Sequence, residues 1–179
     1  AQREIISTVQ AVLKSSAYIY ASAAQQGRGC AIMRASLRVD LPWIRSLNLV
    51  DSNGTIQCST QSAFVGANVR DRDYFQRAME THEFVVSDYI VARPSGAPTI
   101  VAAYPVSAIE GNSEALIIAA VDLKWMSQLI NNRGMRDGMS VLLVDGNGII
   151  LAAPKDSTNL IGRPLKDASL LEAVSLREI

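Results

Sequence analysis

The chain has 179 residues, with 17 basic and 17 acidic side chains and a formal net charge of zero. That balance gives no electrostatic reason to expect nucleic acid or an anionic membrane surface as a partner. Hydrophobic residues at 49% are ample for a buried core, and no apolar run approaches the roughly 18–20 residues needed to cross a bilayer.

Residues 1–26 read as a long helix. Ile5, Ile6, Val9, Val12, Leu13, Ala17 and Tyr20 keep one apolar stripe, and Gly27 and Gly29 end it. A helix of this length exceeds the globular mean, so part of its stripe is available to a second copy of the chain as well as to its own domain. Residues 34–41 carry a further short helical signal stopped by Pro42. The sequence starts with alanine and has no signal-peptide pattern, which fits a mature or excised fragment. Cys30 and Cys58 fit no zinc or redox spacing; they read either as a disulfide formed in an oxidising compartment or as two unrelated buried thiols.

A hairpin follows. Residues 44–50 and 55–59 flank Asp51-Ser52-Asn53-Gly54, where the Asn-Gly pair predicts a tight turn with both residues tolerating positive φ. Asp71 is the expected N-cap of a short helix with Tyr74, Phe75, Ala78 and Met79 at i, i+3, i+4 spacing. A β-rich run over 84–91 leads to Arg93-Pro94-Ser95-Gly96, a turn signal, and a second strand over 99–106. Residues 115–123 make another strand. Residues 124–132 read as a helix with Trp125, Met126, Leu129 and Ile130 on one side, ending near Gly134.

The most informative feature is a repeat. LVDSNGTIQCS at 49–59 recurs as LVDGNGIILAA at 143–153, and VGANVRD at 65–71 as IGRPLKD at 161–167. Leu49-Val50-Asp51, Asn53-Gly54, Gly66 and Asp71 all have counterparts, so one supersecondary plan is used twice. The second copy stops soon after its aspartate, in the helical-looking residues 169–179, and is incomplete.

In order and spacing these pieces resemble a double Cache, or double PDC, sensor domain: the leading helix, the LVDSNG hairpin, DRDYFQRA, SGAPTIVAAYPV, AAVDL and the LVDGNG hairpin. Domains of this family are the extracytoplasmic ligand-binding parts of bacterial histidine kinases, diguanylate cyclases and chemoreceptors. The resemblance implies an α+β fold in which a long N-terminal helix runs beside tandem PAS-like modules with antiparallel five-stranded sheets. The expected division is a helical stalk at 1–41, a membrane-distal ligand-binding module at 42–123, a connecting helix at 124–137, and the start of a truncated membrane-proximal module at 138–179. It further implies a periplasmic part of an inner-membrane protein, signalling through the N-terminal helix and paired as a homodimer along it.

Carboxylate-sensing members carry an arginine just before an aromatic pair, a later tyrosine and a strand aspartate. Arg72, Tyr74 and Phe75 resemble the first group, Tyr89 the tyrosine and Asp122 the aspartate. A helix laid against the following hairpin brings Tyr104 into the same candidate pocket, and Arg93, beside the turn, is a further candidate whose default is a surface role. A guanidinium can hold a carboxylate through two parallel bonds, and an aspartate can receive an ammonium. Ala67 stands where the amino-acid-binding pattern has a tyrosine, and Tyr74-Phe75 replaces the usual tryptophan and tyrosine, so the resemblance implies a small organic anion, with an amino acid as one member of that class. The alternative is a ligand-free structural or dimerisation module. Catalysis has little support: His82 is the only histidine and falls at a helix end, no metal spacing or phosphate loop is present, and no cofactor is implied.

Overall fold

A computed structural model describes residues 2–24, 29–36, 41–93, 95–106, 114–132 and 141–167. The chain divides into two compact units. The first is Ala1–Ser87 with Val101–Val121, and the second is Asp88–Ile100 with Asp122–Ile179.

In the first unit, helix α1 spans Gln2–Ala24 and packs on α2, Gly29–Ser36. Val9, Leu13 and Ala17 are buried, the i, i+4, i+8 core of the predicted stripe, while Ile6, Val12 and Tyr20 are half-buried. Gly29 opens α2 instead of closing α1, so the second helical segment starts earlier than the sequence predicts. Gly27, Gly134 and residues 169–179 lie outside the described residues.

The sheet of this unit has the order β2-β1-β6-β5-β3. The strands are β1 (Ile44–Asp51), β2 (Ile56–Ser59), β3 (Val85–Val86), β5 (Pro98–Val106) and β6 (Ala115–Asp122); β5 and β6 extend by their terminal residues into the second unit, and β4 (Ile90–Val91) belongs there. It is the expected five-strand antiparallel plan. Strand β1 is buried on both faces from Ser46 to Val50, so even its alternate polar residues Ser46 and Asn48 are out of water. Leu49 opposes Cys58, and Cys58 is joined by a disulfide to Cys30 of α2, with a Cα separation of 5.6 Å. Arg34 Nε of α2 donates to the Ser59 carbonyl at 3.0 Å beside it. On the other face lie Ser46 and Asn48, paired with Ala120 and Ile118.

The β-rich run over 84–91 is broken into β3 and β4 at Ser87, which hydrogen-bonds both main-chain groups of Val101 at 2.8 Å; β4 then pairs with the first residues of β5, a strand of the same sheet. The turn after β4 is one residue longer than expected: Gly96 N–H donates to the Ala92 carbonyl at 2.7 Å, with Gly96 at φ +64°. In the second unit β4 pairs with the first residues of β5. Helix α4 (Leu123–Asn132), β7 (Leu143–Val144) and β8 (Ile150–Ala152) complete it, with Met126, Ile150 and Leu151 buried. The sequence boundaries differ from these units in two places. The N-terminal helices fall within the first compact unit, and residues 88–100 within the second.

The turn and return bonds of the repeat are the same in both copies. Asp51 Oδ1 accepts the N–H groups of Asn53 and Thr55, both at 2.9 Å; Asp145 Oδ1 accepts those of Asn147 and Ile149 at 3.0 and 2.8 Å. Gly66 N–H donates to Ile56 and Gly162 N–H to Ile150, each at 2.8 Å. Val69 N–H donates to Gly54 and Leu165 N–H to Gly148, again at 2.8 Å. Only the glycine of each Asn-Gly pair takes a positive φ, +82° at Gly54 and +75° at Gly148, so the turn is not the tight form expected from the dipeptide. The aspartate decides this, since its carboxylate holds a wider loop by two backbone N–H groups.

Two stability predictions follow from these contacts. A Cβ at Gly54 would lie 2.6–2.7 Å from the backbone of Arg70, at a φ that disfavours any side chain. Gly54→Ala should therefore cost more than about 2 kcal/mol in urea unfolding. Reducing Cys30–Cys58, which closes a separation of 28 residues, should cost about 3–4 kcal/mol.

Candidate functional site

The first hairpin positions the first-module candidates. Asn68 Nδ2 donates to the Asn53 carbonyl at 3.0 Å, Val69 N–H to Gly54 at 2.8 Å, and Arg72 N–H to Val69 at 3.0 Å. The hairpin tip is thus hydrogen-bonded through to Arg72, which is half-buried. Helix α3 spans Asp73–Thr81 and its N-cap is Arg72, with extended backbone at φ −81°, ψ 134°. The expected cap, Asp71, lies one residue too early. The Arg72 carbonyl accepts the first helical N–H groups, from Phe75 at 3.0 Å and Gln76 at 3.1 Å. Asp73 supplies the first-turn negative charge and pairs with Arg77 at 2.8 Å. Arg77 also donates to the Val86 carbonyl at 2.8 Å, tying α3 to β3.

Helical geometry then separates the roles of neighbouring residues. Tyr74, Phe75 and Ala78 are 3%, 4% and 0% exposed, so the aromatic pair is core. Tyr104, on β5, is half-buried in the same unit. A buried polar cluster on the sheet was missed from sequence: Ser59 Oγ donates to Asn48 Oδ1 at 2.6 Å, and Asn48 Nδ2 to Ser46 Oγ at 3.2 Å. Its signal was a pair of polar residues at alternate positions in an otherwise apolar strand.

The other candidates stand in the second unit. Asp122 Oδ1 accepts the N–H groups of Lys124 at 2.8 Å and Trp125 at 3.3 Å, which makes it the cap of α4. Arg93 is exposed, beside the turn. Tyr89 is half-buried; its N–H donates to Asp145 Oδ2 at 2.9 Å, and its ring lies against Gly162. His82 closes α3 in the left-handed region at φ +54° and is exposed. Among the described residues no group of three His, Cys, Asp or Glu side chains is placed to hold a metal ion, and no helix is long and apolar enough to cross a membrane.

The extracellular domain of a histidine kinase designated rpHK1S-Z16 superposes with a TM-score of 0.73 at 18% identity, over 94% of this chain and 71% of its own. The ligand-binding domain of Mlp24, solved with asparagine, superposes at 0.68 and 17% identity over the whole chain and 73% of its own. This is the double Cache sensor fold. By sequence the chain is similar to sporulation kinase D of Bacillus subtilis (strain 168), 29% identical over 90 residues. That match covers 50% of this chain and 18% of the kinase. No known family profile matches the chain.

The capping geometry makes Asp122 separable from its neighbours. Asp122→Ala should lower unfolding free energy by about 1 kcal/mol, and Asp122→Asn by much less, since an asparagine oxygen caps nearly as well. Urea titrations of the two variants against the parent measure the difference.

Proposed function

We propose that this chain is the extracytoplasmic sensor part of a bacterial transmembrane signalling receptor, and that its first unit binds a small organic anion at Arg72. The observation that carries this reading is the asymmetry of the two repeats. Both copies share the hairpin and the segment that leads to Val69 and Leu165. At the positions one, three and four residues beyond the shared aspartate, the first copy has Arg72, Tyr74 and Phe75, whereas the second has Ala168, Leu170 and Leu171. A duplicated scaffold that carries a guanidinium at this position in one copy only is specialised there. The cation sits at the N-terminus of α3, where backbone N–H groups and the helix dipole also favour a negative charge. Buried Tyr74 and Phe75 fix the helix beneath it.

A carboxylate is the ligand class that matches a guanidinium best, because its two oxygens meet two parallel N–H groups. Tyr104 is the hydroxyl donor assigned to the same ligand. Amino acids belong to the class, and the bound asparagine of the structurally similar Mlp24 domain supports testing them first. The Cys30–Cys58 bond supports an oxidising, extracytoplasmic location. On this reading the chain is not itself catalytic; a kinase or cyclase output would lie elsewhere in the protein, as would its membrane anchors. Tyr18 and Ile19 on α1, 74% and 40% exposed, favour pairing of two chains along that helix.

Thermal melting against panels of amino acids and of mono- and dicarboxylic acids tests the proposal. A saturable rise in Tm is expected with at least one carboxylate. Arg72→Ala should abolish it without changing the unliganded Tm by more than a few degrees, and Arg72→Lys should weaken apparent affinity at least tenfold. A shift that survives in Arg72→Ala, or none with any compound beside concentration-dependent dimerisation, would replace sensing by a purely structural role.

A further inference from the structure

The two sulfurs of the Cys30–Cys58 bond stand in different surroundings. Cys58 belongs to the four-residue strand β2, opposes Leu49 and is 0% exposed. Cys30 is half-buried on α2, and Ala31 and Arg34 of the same helix are exposed. A thiolate breaks a disulfide by approaching one sulfur in line, from the side away from the sulfur that leaves. For Cys30 that side points away from the strand that carries Cys58. For Cys58 it lies within the packed sheet. Access therefore selects Cys30.

The helix favours the same sulfur. Cys30 is the second residue of α2, in the turn whose backbone N–H groups lack an intrahelical acceptor. No acidic side chain shares that turn. Arg34 follows four residues later, on the same helix face, and its Nε donates at 3.0 Å to the carbonyl of Ser59, the residue after Cys58. A helix N-terminus and a guanidinium each stabilise a thiolate over a thiol. Burial of Cys58 opposite an apolar side chain works in the opposite sense and keeps that sulfur inert.

We propose that the Cys30–Cys58 bond is a thiol-exchange site as well as a staple, with Cys30 as the sulfur that accepts a small solvent thiol while the chain stays folded. The incoming thiolate forms a mixed disulfide with Cys30 Sγ. The bond to Cys58 breaks, and Cys58 leaves with the electron pair and takes up a proton. A second equivalent of the thiol attacks the small-molecule sulfur of the mixed disulfide and releases Cys30 as a thiolate. Two small thiols are thereby oxidised to their disulfide, and the protein disulfide is reduced by two electrons. In the reverse direction the Cys30 thiolate attacks a small disulfide, and Cys58 closes the bond again. The site stands apart from Arg72 and holds whatever that residue binds.

Reduced glutathione added to the oxidised 179-residue chain in native buffer tests this directly. After acid quenching and digestion, mass spectrometry should find the glutathione adduct on Cys30 in at least about tenfold excess over Cys58. In urea above the unfolding midpoint the two sulfurs should be modified alike. Arg34→Gln should slow the native reaction at Cys30 and leave the reaction in urea unchanged; an arginine that only braces α2 would on removal speed it. Single-cysteine variants separate the two thiols. In Cys58→Ser, native alkylation of Cys30 by iodoacetamide should have a pH midpoint below the ordinary thiol value of about 8.5. In Cys30→Ser, Cys58 should stay unreactive until urea unfolds the chain. The parent measurement decides the matter if neither variant folds. Equal adducts on the two sulfurs in native buffer would overturn the proposal, as would a chain that takes up glutathione only at urea concentrations that unfold it.

Discussion

A single carboxylate in each hairpin turn sets the geometry on which the rest is built. Asp51 and Asp145 each gather two backbone N–H groups of their own loop on one oxygen, and so hold a glycine three residues on in a conformation few side chains accept. That glycine receives the strand-like return of the chain, at Val69 in one unit and Leu165 in the other. In the first unit the return leads straight into the start of α3. A short-range charge–dipole contact thereby fixes the place of a residue some twenty positions further along, without any long-range packing having to specify it.

Much of the architecture was open to reading because it is local. The hairpins, the α3 periodicity, the 115–122 strand and the duplication are all carried by contiguous residues, and each appears where its pattern lies. The misreadings share a cause. Asp71 looked like a cap because its type is right, yet Arg72 takes the place, since a cap is defined by whose carbonyl accepts the first helical bonds. Asn53-Gly54 looked like a tight turn because the dipeptide favours one, yet the preceding aspartate competes for the same N–H groups. The run over 84–91 looked continuous because every residue suits a strand, and only the partners of Ser87 and Tyr89, fourteen and fifty-six residues away, show that it divides.

The candidate binding residues were legible in kind more than in role. Tyr74 and Phe75 are apolar enough to be core and aromatic enough to line a ligand, and burial of both decides for the core at those positions. Asp122 was readable as a strand-end carboxylate or a helix cap, and the N–H groups of Lys124 and Trp125 show the cap. Duplication gave the two copies the same starting chemistry. Their later difference lies in side chains such as Gln57, which donates to Asp51 Oδ2 at 2.6 Å, and Leu151, which has no group to donate and leaves Asp145 Oδ2 to the N–H of Tyr89.

The outer strands of the first sheet are both very short: β2 has four residues and β3 has two. Beyond β2, helix α2 is stapled by sulfur to that border, and beyond β3 the backbone of Val86 is already taken by a guanidinium. A foreign strand arriving from either side would find almost no run of open amides to copy. Proteins held at high concentration expose each other to such accidental ribbon growth, and this sheet is built so that crowding does not turn it into a seed.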